Sequence, residues 1–487
     1  MRMQKLKGLI MRKSKLFSSC VFMAFYALMV CYPAIAAPCK GICSPDWWED
    51  ASEEKVRREI DSASYIEALR QEEWRCSCEH FLVDEARGRS WRRSPMHVIS
   101  FTENLGDITH AEAISILLEY EIDLEIGDAV SKTPLHTAAQ LGYPKTISAF
   151  VKAGANLEAE DLGGAKPLHG AVKNSSDNIM ALLDAGAEVK ARDNKGHTAL
   201  HFAAAYYPND RWMPSLIENI DLLIEEGLKL TDRAGETGYT VLHMAALAGR
   251  SEVLEHIIQN DKRLDMNARD KAGDTPLHIA ARIVDRDRST IMSQILSAGA
   301  DIDARDKRGD TAFTIVAVSP GNYSLEHAYT LLEAGADPNV KNKVGNTAMH
   351  AVVWNGNYGL MKMMHGYDVD WNLKNNDGRS PMLDALYSKK QPNPKIFGAA
   401  AQIFGADIYT TNEFGENLLH VAIENEHLDL VDNFLRQRNA FRNLAKEEDI
   451  FGMTPLDLAD DIGVLDGTMT YVRLKEAALL DDLVPLK

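Results

Sequence analysis

The chain has 487 residues, 45% of them hydrophobic and 25% charged, with a formal net charge of -18 at pH 7. That balance excludes a disordered, collagen-like or polytopic membrane chain, and the length exceeds what one compact core organises. The excess of acid also argues against a nucleic-acid partner, because long-range repulsion opposes a phosphate backbone.

The first segment has its own character. Six basic residues (Arg2, Lys5, Lys7, Arg12, Lys13, Lys15) and no acidic one precede an uncharged stretch from Leu16 to Pro38, and Ala34-Ile35-Ala36 places small residues where a signal peptidase reads. This three-part layout is that of a secretory signal over residues 1–36, with translation from Met1 or from Met11. Two other outcomes are weighed: an uncleaved membrane anchor, disfavoured by Pro33, Ser18 and Ser19, and lipidation at Cys39, disfavoured by Pro38. Membrane association is expected only if the segment stays uncleaved. Its removal takes away six positive charges and moves the net charge from -18 to -24. The expected location is periplasmic or secreted.

Residues 37–90 form the next segment, expected to be a small N-terminal cap with a charged helix from about Ala51 to Trp74. It holds Cys39, Cys43, Cys76 and Cys78, and no cysteine follows them. An even number in an oxidising compartment points to two disulfides, and the two pairings that join Cys39 and Cys43 to Cys76 and Cys78 avoid a strained Cys76–Cys78 turn. A four-thiolate zinc site is the competing use, although spacings of three residues and one are not the usual two.

From residue 91 onward a four-residue phrase recurs. It reads Thr133-Pro134-Leu135-His136, Lys166-Pro167-Leu168-His169, Thr198-Ala199-Leu200-His201, Thr240-Val241-Leu242-His243, Thr275-Pro276-Leu277-His278 and Thr347-Ala348-Met349-His350, with looser copies from Ser94, Thr311, Ser380, Asn417 and Thr454. In the Thr275 copy threonine suits a helix N-cap and Pro276 the first helical position, where a missing N–H costs nothing. Leu277 and the pair Ala280-Ala281 then share one helical face. A second apolar helix, Ile291 to Leu296, ends at Ala298-Gly299-Ala300 with glycine as a left-handed cap, and Asp301 to Asp306 leads to a strand-like hairpin finger tipped by Lys307-Arg308-Gly309. Copies begin 32 to 42 residues apart.

This pattern resembles the ankyrin repeat, whose period is about 33. The resemblance spans about residues 91–480 and implies an all-α solenoid of helix-turn-helix units with a β-hairpin finger each, about ten to eleven units over 91–487, with degenerate first and last copies. Insertions at Tyr206 to Pro214, Ile283 to Ser289, Ser319 to Ser324 and Ser388 to Pro394 would emerge between the two helices as candidate recognition loops. In that family the fourth residue of the phrase makes structural hydrogen bonds between units, which would occupy His97, His136, His169, His201, His243, His278, His350 and His420.

Little in the sequence suggests chemistry. Asp301-Ile302-Asp303-Ala304-Arg305-Asp306 lacks the third ligand and closing glutamate of a calcium loop, and Arg308-Gly309-Asp310 straddles the glycine of a finger. No phosphate-binding glycine loop with its lysine, nucleophile elbow or dinucleotide fingerprint occurs. Neither a cofactor nor an enzymatic activity is expected, and the chain is expected to be monomeric.

The resemblance further implies a protein partner gripped on a concave side by finger tips and by the residues after the alanine pair. Carried onto this chain, the tips include Asn194, Lys195, His197, Tyr239, Lys271, Lys307, Arg308, Lys343 and Phe414. The helix positions include Gln140, Leu141, Ala205, Tyr206, Leu247, Arg282, Trp354 and Asn355. Tyr206, Leu247, Arg282 and Trp354 are expected to line one stripe about 10 Å apart from unit to unit, with Tyr206 and Trp354 as interface anchors. The alternative for Trp354 is a place in the core. Two roles stay open, a scaffold or toxin-neutralising module and an exported effector.

Overall fold

The computed structural model describes residues 45–60, 94–103, 105, 108–206, 213–261, 264–283, 288–319, 324–388, 392–402, 405–436, 440–465 and 467–479. Residues 1–36, Cys39, Cys43, Cys76 and Cys78 and the middles of the four insertions lie outside the described residues. The chain divides into two compact units, Met1–Lys229 and Leu230–Lys487.

Helix pairs build both units. Every phrase start, Ser94, Thr133, Lys166, Thr198, Thr240, Thr275, Thr311, Thr347, Ser380, Asn417 and Thr454, is the N-cap of a short first helix. Proline at the first helical position fixes φ before the helix nucleates, and a second helix follows within a few residues. Neither helix can bury its apolar face alone, so successive first helices pack on one another, in the second unit from Val241–Ala248 through Pro276–Arg282, Ala312–Val318 and Ala348–Asn355 to Pro381–Ala385. Leu277, Ala280 and Ala281, or Met349, Val352 and Val353, are wholly buried in that stack.

The histidine of the phrase welds each helix start to the next repeat. In the Thr275 repeat the backbone N–H of Thr275 donates to Nδ1 of His278 at 3.2 Å, with the Thr275 hydroxyl 2.8 Å away. A backbone N–H can only donate, so Nδ1 is bare and Nε2 carries the proton. That Nε2–H donates to the carbonyl of Asp310 in the next finger at 3.0 Å. The same bridge joins His97 to Lys132, His136 to Ala165 and His169 to His197 in the first unit. In the second it joins His243 to Asp274, His350 to Arg379 and His420 to Met453. The Thr311 repeat closes its cap with Thr314 instead. Asp457 takes the imidazole's accepting role from Thr454 at 2.6 and 2.9 Å but has no second donor, so the relay stops there.

The fingers differ from the expected hairpin. Among the described residues there is no strand, only one isolated bridge between Arg233 and Thr240. Most fingers are turns closed on an Asp or Asn side chain, as where Asp306 Oδ1 accepts from the N–H groups of Arg308 and Asp310, whereas before Thr240 the Tyr239 N–H donates to the Thr237 hydroxyl. Neighbouring tips then bond sideways, the N–H of Lys307 to Ala272 and that of Lys343 to Arg308. A side-chain-closed turn satisfies the backbone locally and leaves nothing for a ladder. Gly309 is required twice over, with φ +82° and a Cβ that would stand 2.8 Å from the Lys343 nitrogen.

A second set of cross-repeat bonds comes from the second helices. Asn178 donates to the carbonyls of Ala139 and Gly142, and Asn219 to those of Val172 and Asn174. Arg288, within the stretch assigned above to an insertion, opens the helix Arg288–Ser297, is buried, and donates to Ala246 and Leu247. His427 does the same for Leu386 at 2.7 Å. These side chains satisfy the orphan carbonyls at the end of the preceding first helix.

Ahead of the first repeat, the helix Glu53–Ile60 buries Val56 and Ile60 against His110–Glu119, and Arg57 meets Glu119 at 2.6 Å. The expected continuation of this helix to Trp74 lies outside the described residues.

Burial holds the imidazoles of His136, His169, His243, His278, His350 and His420 below their ordinary value of 6.5. The unfolded chain therefore takes up protons first on acidification. Stability is complete above about pH 7.5 and falls as pH drops through 6.5 toward the folded value, by up to about 1.4 kcal/mol per pH unit and histidine. His278→Thr, borrowing the solution used at Thr314, should cost about 2 kcal/mol at pH 7.5 and flatten the pH dependence. Thermal midpoints of both chains between pH 5 and 8 check this.

Candidate partner-binding face

Two positions of each repeat face one another on the finger side: the residue just before the phrase and the residue seven after its start. At Lys132, Asp274 and Arg379 the first is pinned by the preceding repeat's histidine, whose Nε2–H holds its carbonyl. In the Thr275 repeat they form a bidentate pair, Arg282 Nη2 at 2.7 Å from Asp274 Oδ1 and Nε at 3.2 Å from Oδ2, with Asp306 Oδ2 a further 3.2 Å contact. In the Ser380 repeat the Arg379 guanidinium lies 3.6 Å over the Tyr387 ring. In the Thr133 repeat Lys132 donates to Gln140 at 2.9 Å. The Asn417 repeat sets Glu416 against Glu424, whose carboxyl is pushed up by burial and then by Glu416.

Three apolar seventh positions of the second unit stay in the open. In the second unit Leu247 is 39%, Val318 53% and Trp354 41% exposed. Trp354 is thus outside the core, which Val352 and Val353 fill. Val318 was not among the expected residues, although counting seven from Thr311 finds it. Tyr206 does not share this register: it stands eight after Thr198, Ala205 holds the seventh place, and Tyr206 belongs to the first unit. It is half-buried, with the Lys173 ammonium 5.6 Å from its ring centre.

The finger tips separate into two kinds. Lys195, Lys307, Arg308, Lys343 and Phe414 are exposed, Lys307 bonding back to the Lys271 carbonyl at 2.6 Å and Arg308 lying 3.4 Å from Asp310. His197 corrects the expectation. It is buried, paired with Asp193 at 3.1 Å and packed on the rings of His201 and Phe202, because its finger folds the imidazole under the tip. Tyr239 is half-buried and stacks on His243 with ring centres 5.5 Å apart. Asn355 is exposed and donates to the Val318 carbonyl, while Leu141 stands open beside the half-buried Gln140. Val344, Ile450 and Phe451 are further exposed apolar tips that composition gave no reason to single out.

Three family models match in register with these repeats, ankyrin repeats in many copies at 331–382, ankyrin repeats in three copies at 213–306 and a single ankyrin repeat at 131–162. The chain carries ankyrin repeats. Similar curated proteins include Rabankyrin-5 of Mus musculus, 28% identical over 171 residues, covering 35% of this chain and 14% of that protein. Palmitoyltransferase AKR1 of Lachancea kluyveri is 29% identical over 35% of this chain and 22% of its own length. Protein PhlB of Serratia liquefaciens is 39% identical over 22% of this chain and 43% of its own. This ankyrin-repeat chain therefore spans less than a quarter of the first two relatives and under half of the third. Among solved structures, the ankyrin repeat domain of human ASB11 covers 50% of this chain at 19% identity with a TM-score of 0.39, and that of Bcl-3 covers 50% at 23% identity with a TM-score of 0.36.

Arg282 is expected to act mainly as a clasp between two fingers. Arg282→Met removes the counter-charge of Asp274 and Asp306 and should lower stability by about 1 kcal/mol, discounted because a third of the side chain meets water. The loss should shrink with added salt, which thermal melts at 0.05 and 1 M sodium chloride would read.

Proposed function

We propose that this protein is an exported, monomeric binding module whose finger-side face holds a protein partner, as a scaffold or as the neutralising partner of a toxin. Ankyrin repeats supply a binding surface for protein partners, and here the supporting observation is the row Leu247, Val318 and Trp354, three apolar side chains left in water at equivalent positions. Burial of those side chains does nothing for the stack, so their exposure needs a reason outside the fold. The exposed tips Lys307, Arg308, Lys343 and Phe414 would frame the same partner, and an aromatic anchor with a charged rim is how interfaces concentrate their energy. Catalysis by the chain itself is not part of this reading.

Trp354→Ala should weaken partner binding about 30-fold, equivalent to a hot-spot loss of about 2 kcal/mol. Its thermal midpoint should stay near that of the parent, because the ring is not core. The pair of proteins, immobilised and compared against the same partner by surface plasmon resonance, tests this. Equal affinities, or a collapse of the midpoint by the 3 to 5 kcal/mol expected of a core tryptophan, would sink it.

The export part rests on residues 1–36 and on the confinement of Cys39, Cys43, Cys76 and Cys78 to one segment. Intact mass of the exported protein should place its first residue near Ala37 and account for two disulfides. Mass retaining residues 1–36 would make it a tethered module, and four titratable thiols in the denatured, unreduced protein would return the cysteines to the zinc alternative. Recovery from the culture medium with action on a foreign protein would favour the effector role.

A further inference from the structure

Pairing across the finger-side face has one conspicuous gap. In the Lys166 repeat the seventh position is Lys173, and the facing position, occupied by Asp274 opposite Arg282, is Ala165. A methyl group replaces the carboxylate. The Lys173 ammonium is half-buried, and no hydrogen bond or ion pair joins it to a described residue; its one close contact is the Tyr206 ring. Burial first, and then Lys132, hold its pKa below the ordinary lysine value, against a weaker opposing pull from Asp161. Asp161 Oδ1 closes the finger turn by accepting from Gly163 and Ala165, and no hydrogen bond or ion pair joins this carboxylate to Lys173. Lys132, meanwhile, reaches Gln140 rather than an acid. Two ammonium groups near enough to repel thus share a partly dry site with an aromatic wall, and among the described residues Lys173 has only the weaker, unbonded pull of Asp161 against them. Proteins seldom leave a desolvated cation in this state, since burial of an unpaired charge is costly.

We infer that the site formed by Lys132, Lys173 and Tyr206 receives a carboxylate side chain from an acidic segment of the partner. This rests on the reading of the finger-side face as the binding surface and specifies what one part of that surface takes. The carboxylate would stand where Ala165 leaves room, making with Lys173 the pair that Asp274 makes with Arg282. The chain's overall negative charge does not forbid it. At physiological salt, screening weakens the pull of charges farther than about 8 Å from the site. The Tyr206 ring would exclude water from one side of the new pair and accept the ammonium on its face.

The mature protein, titrated with acetyl-hexaglutamate amide and with the matching hexaglutamine peptide, tests the assignment. Binding of the glutamate peptide should exceed that of the glutamine peptide at least tenfold, and Lys173→Gln should remove that difference. Ala165→Asp provides an internal carboxylate without deleting any side chain. It should raise the titration midpoint of the Lys173 amine, read by side-chain NMR, and weaken the glutamate peptide at least tenfold, with the thermal midpoint preserved. Equal binding of the two peptides, or full binding by Ala165→Asp, would overturn the inference. Inorganic phosphate binding in place of the peptide would overturn it too, marking a free-anion site instead. Loss of the hexaglutamate effect with the Trp354→Ala effect intact refutes only this site. The reverse pattern refutes the wider face and keeps the carboxylate site.

Discussion

An imidazole with two different nitrogens carries this architecture. Nδ1 must be bare to receive the backbone N–H at the helix start, so Nε2 must be protonated, and its only use is to hold a carbonyl in the following repeat. One side chain therefore closes a helix cap and fixes the distance to the next unit in a single act. Burial keeps the ring neutral, and neutrality is what the geometry needs, because a second proton on Nδ1 would face the N–H it now accepts. Repeats that abandon histidine solve the two tasks separately: Thr314 caps without bridging, and Asp457 caps and ends the relay.

The carbonyls at the far ends of the first helices are met from the opposite direction. Asparagine at 178 and 219, arginine at 288 and histidine at 427 each stand in or just ahead of a second helix and donate to the helix end of the repeat before it. A helix end has orphan acceptors whatever its sequence, so the demand is for any donor of sufficient reach. Arg288 is the extreme case. Gly249 is needed beside it, because a Cβ there would stand 2.6 Å from the guanidinium carbon.

Function is left to positions that neither bridge uses. Where the preceding repeat has the phrase histidine, the residue before the phrase contributes its carbonyl to the stack and leaves its side chain to other contacts, among them those with the residue seven after the start. Their combinations vary from a bidentate salt bridge at Asp274 and Arg282 to a cation over a ring at Arg379 and Tyr387 and a like-charged pair at Glu416 and Glu424. Stability comes from backbone bonds common to the repeats, so these pairs are able to diverge at small cost. The apolar members, Leu247, Val318 and Trp354, and Lys173, whose ammonium makes no hydrogen bond or ion pair with a described residue, are where the surface is least complete by itself.

The sequence alone determined the repeat, the helix starts and the rough extent of the stack, because N-caps, first-turn prolines and left-handed glycines are local rules that each unit obeys within its own 30-odd residues. It also identified the phrase histidine as structural, through a family resemblance. Tertiary structure decided what depends on neighbours. The finger became an Asx-closed turn bonded sideways rather than a hairpin, since its backbone partners belong to the next repeat. His197 turned inward while Lys195, two residues away, stayed exposed, and Arg288 moved from loop to buried cap. The pairing of Ala165 with Lys173 could not be read along the chain, for the vacancy exists only when two positions eight residues apart are folded against each other and a third residue, Tyr206, closes the side.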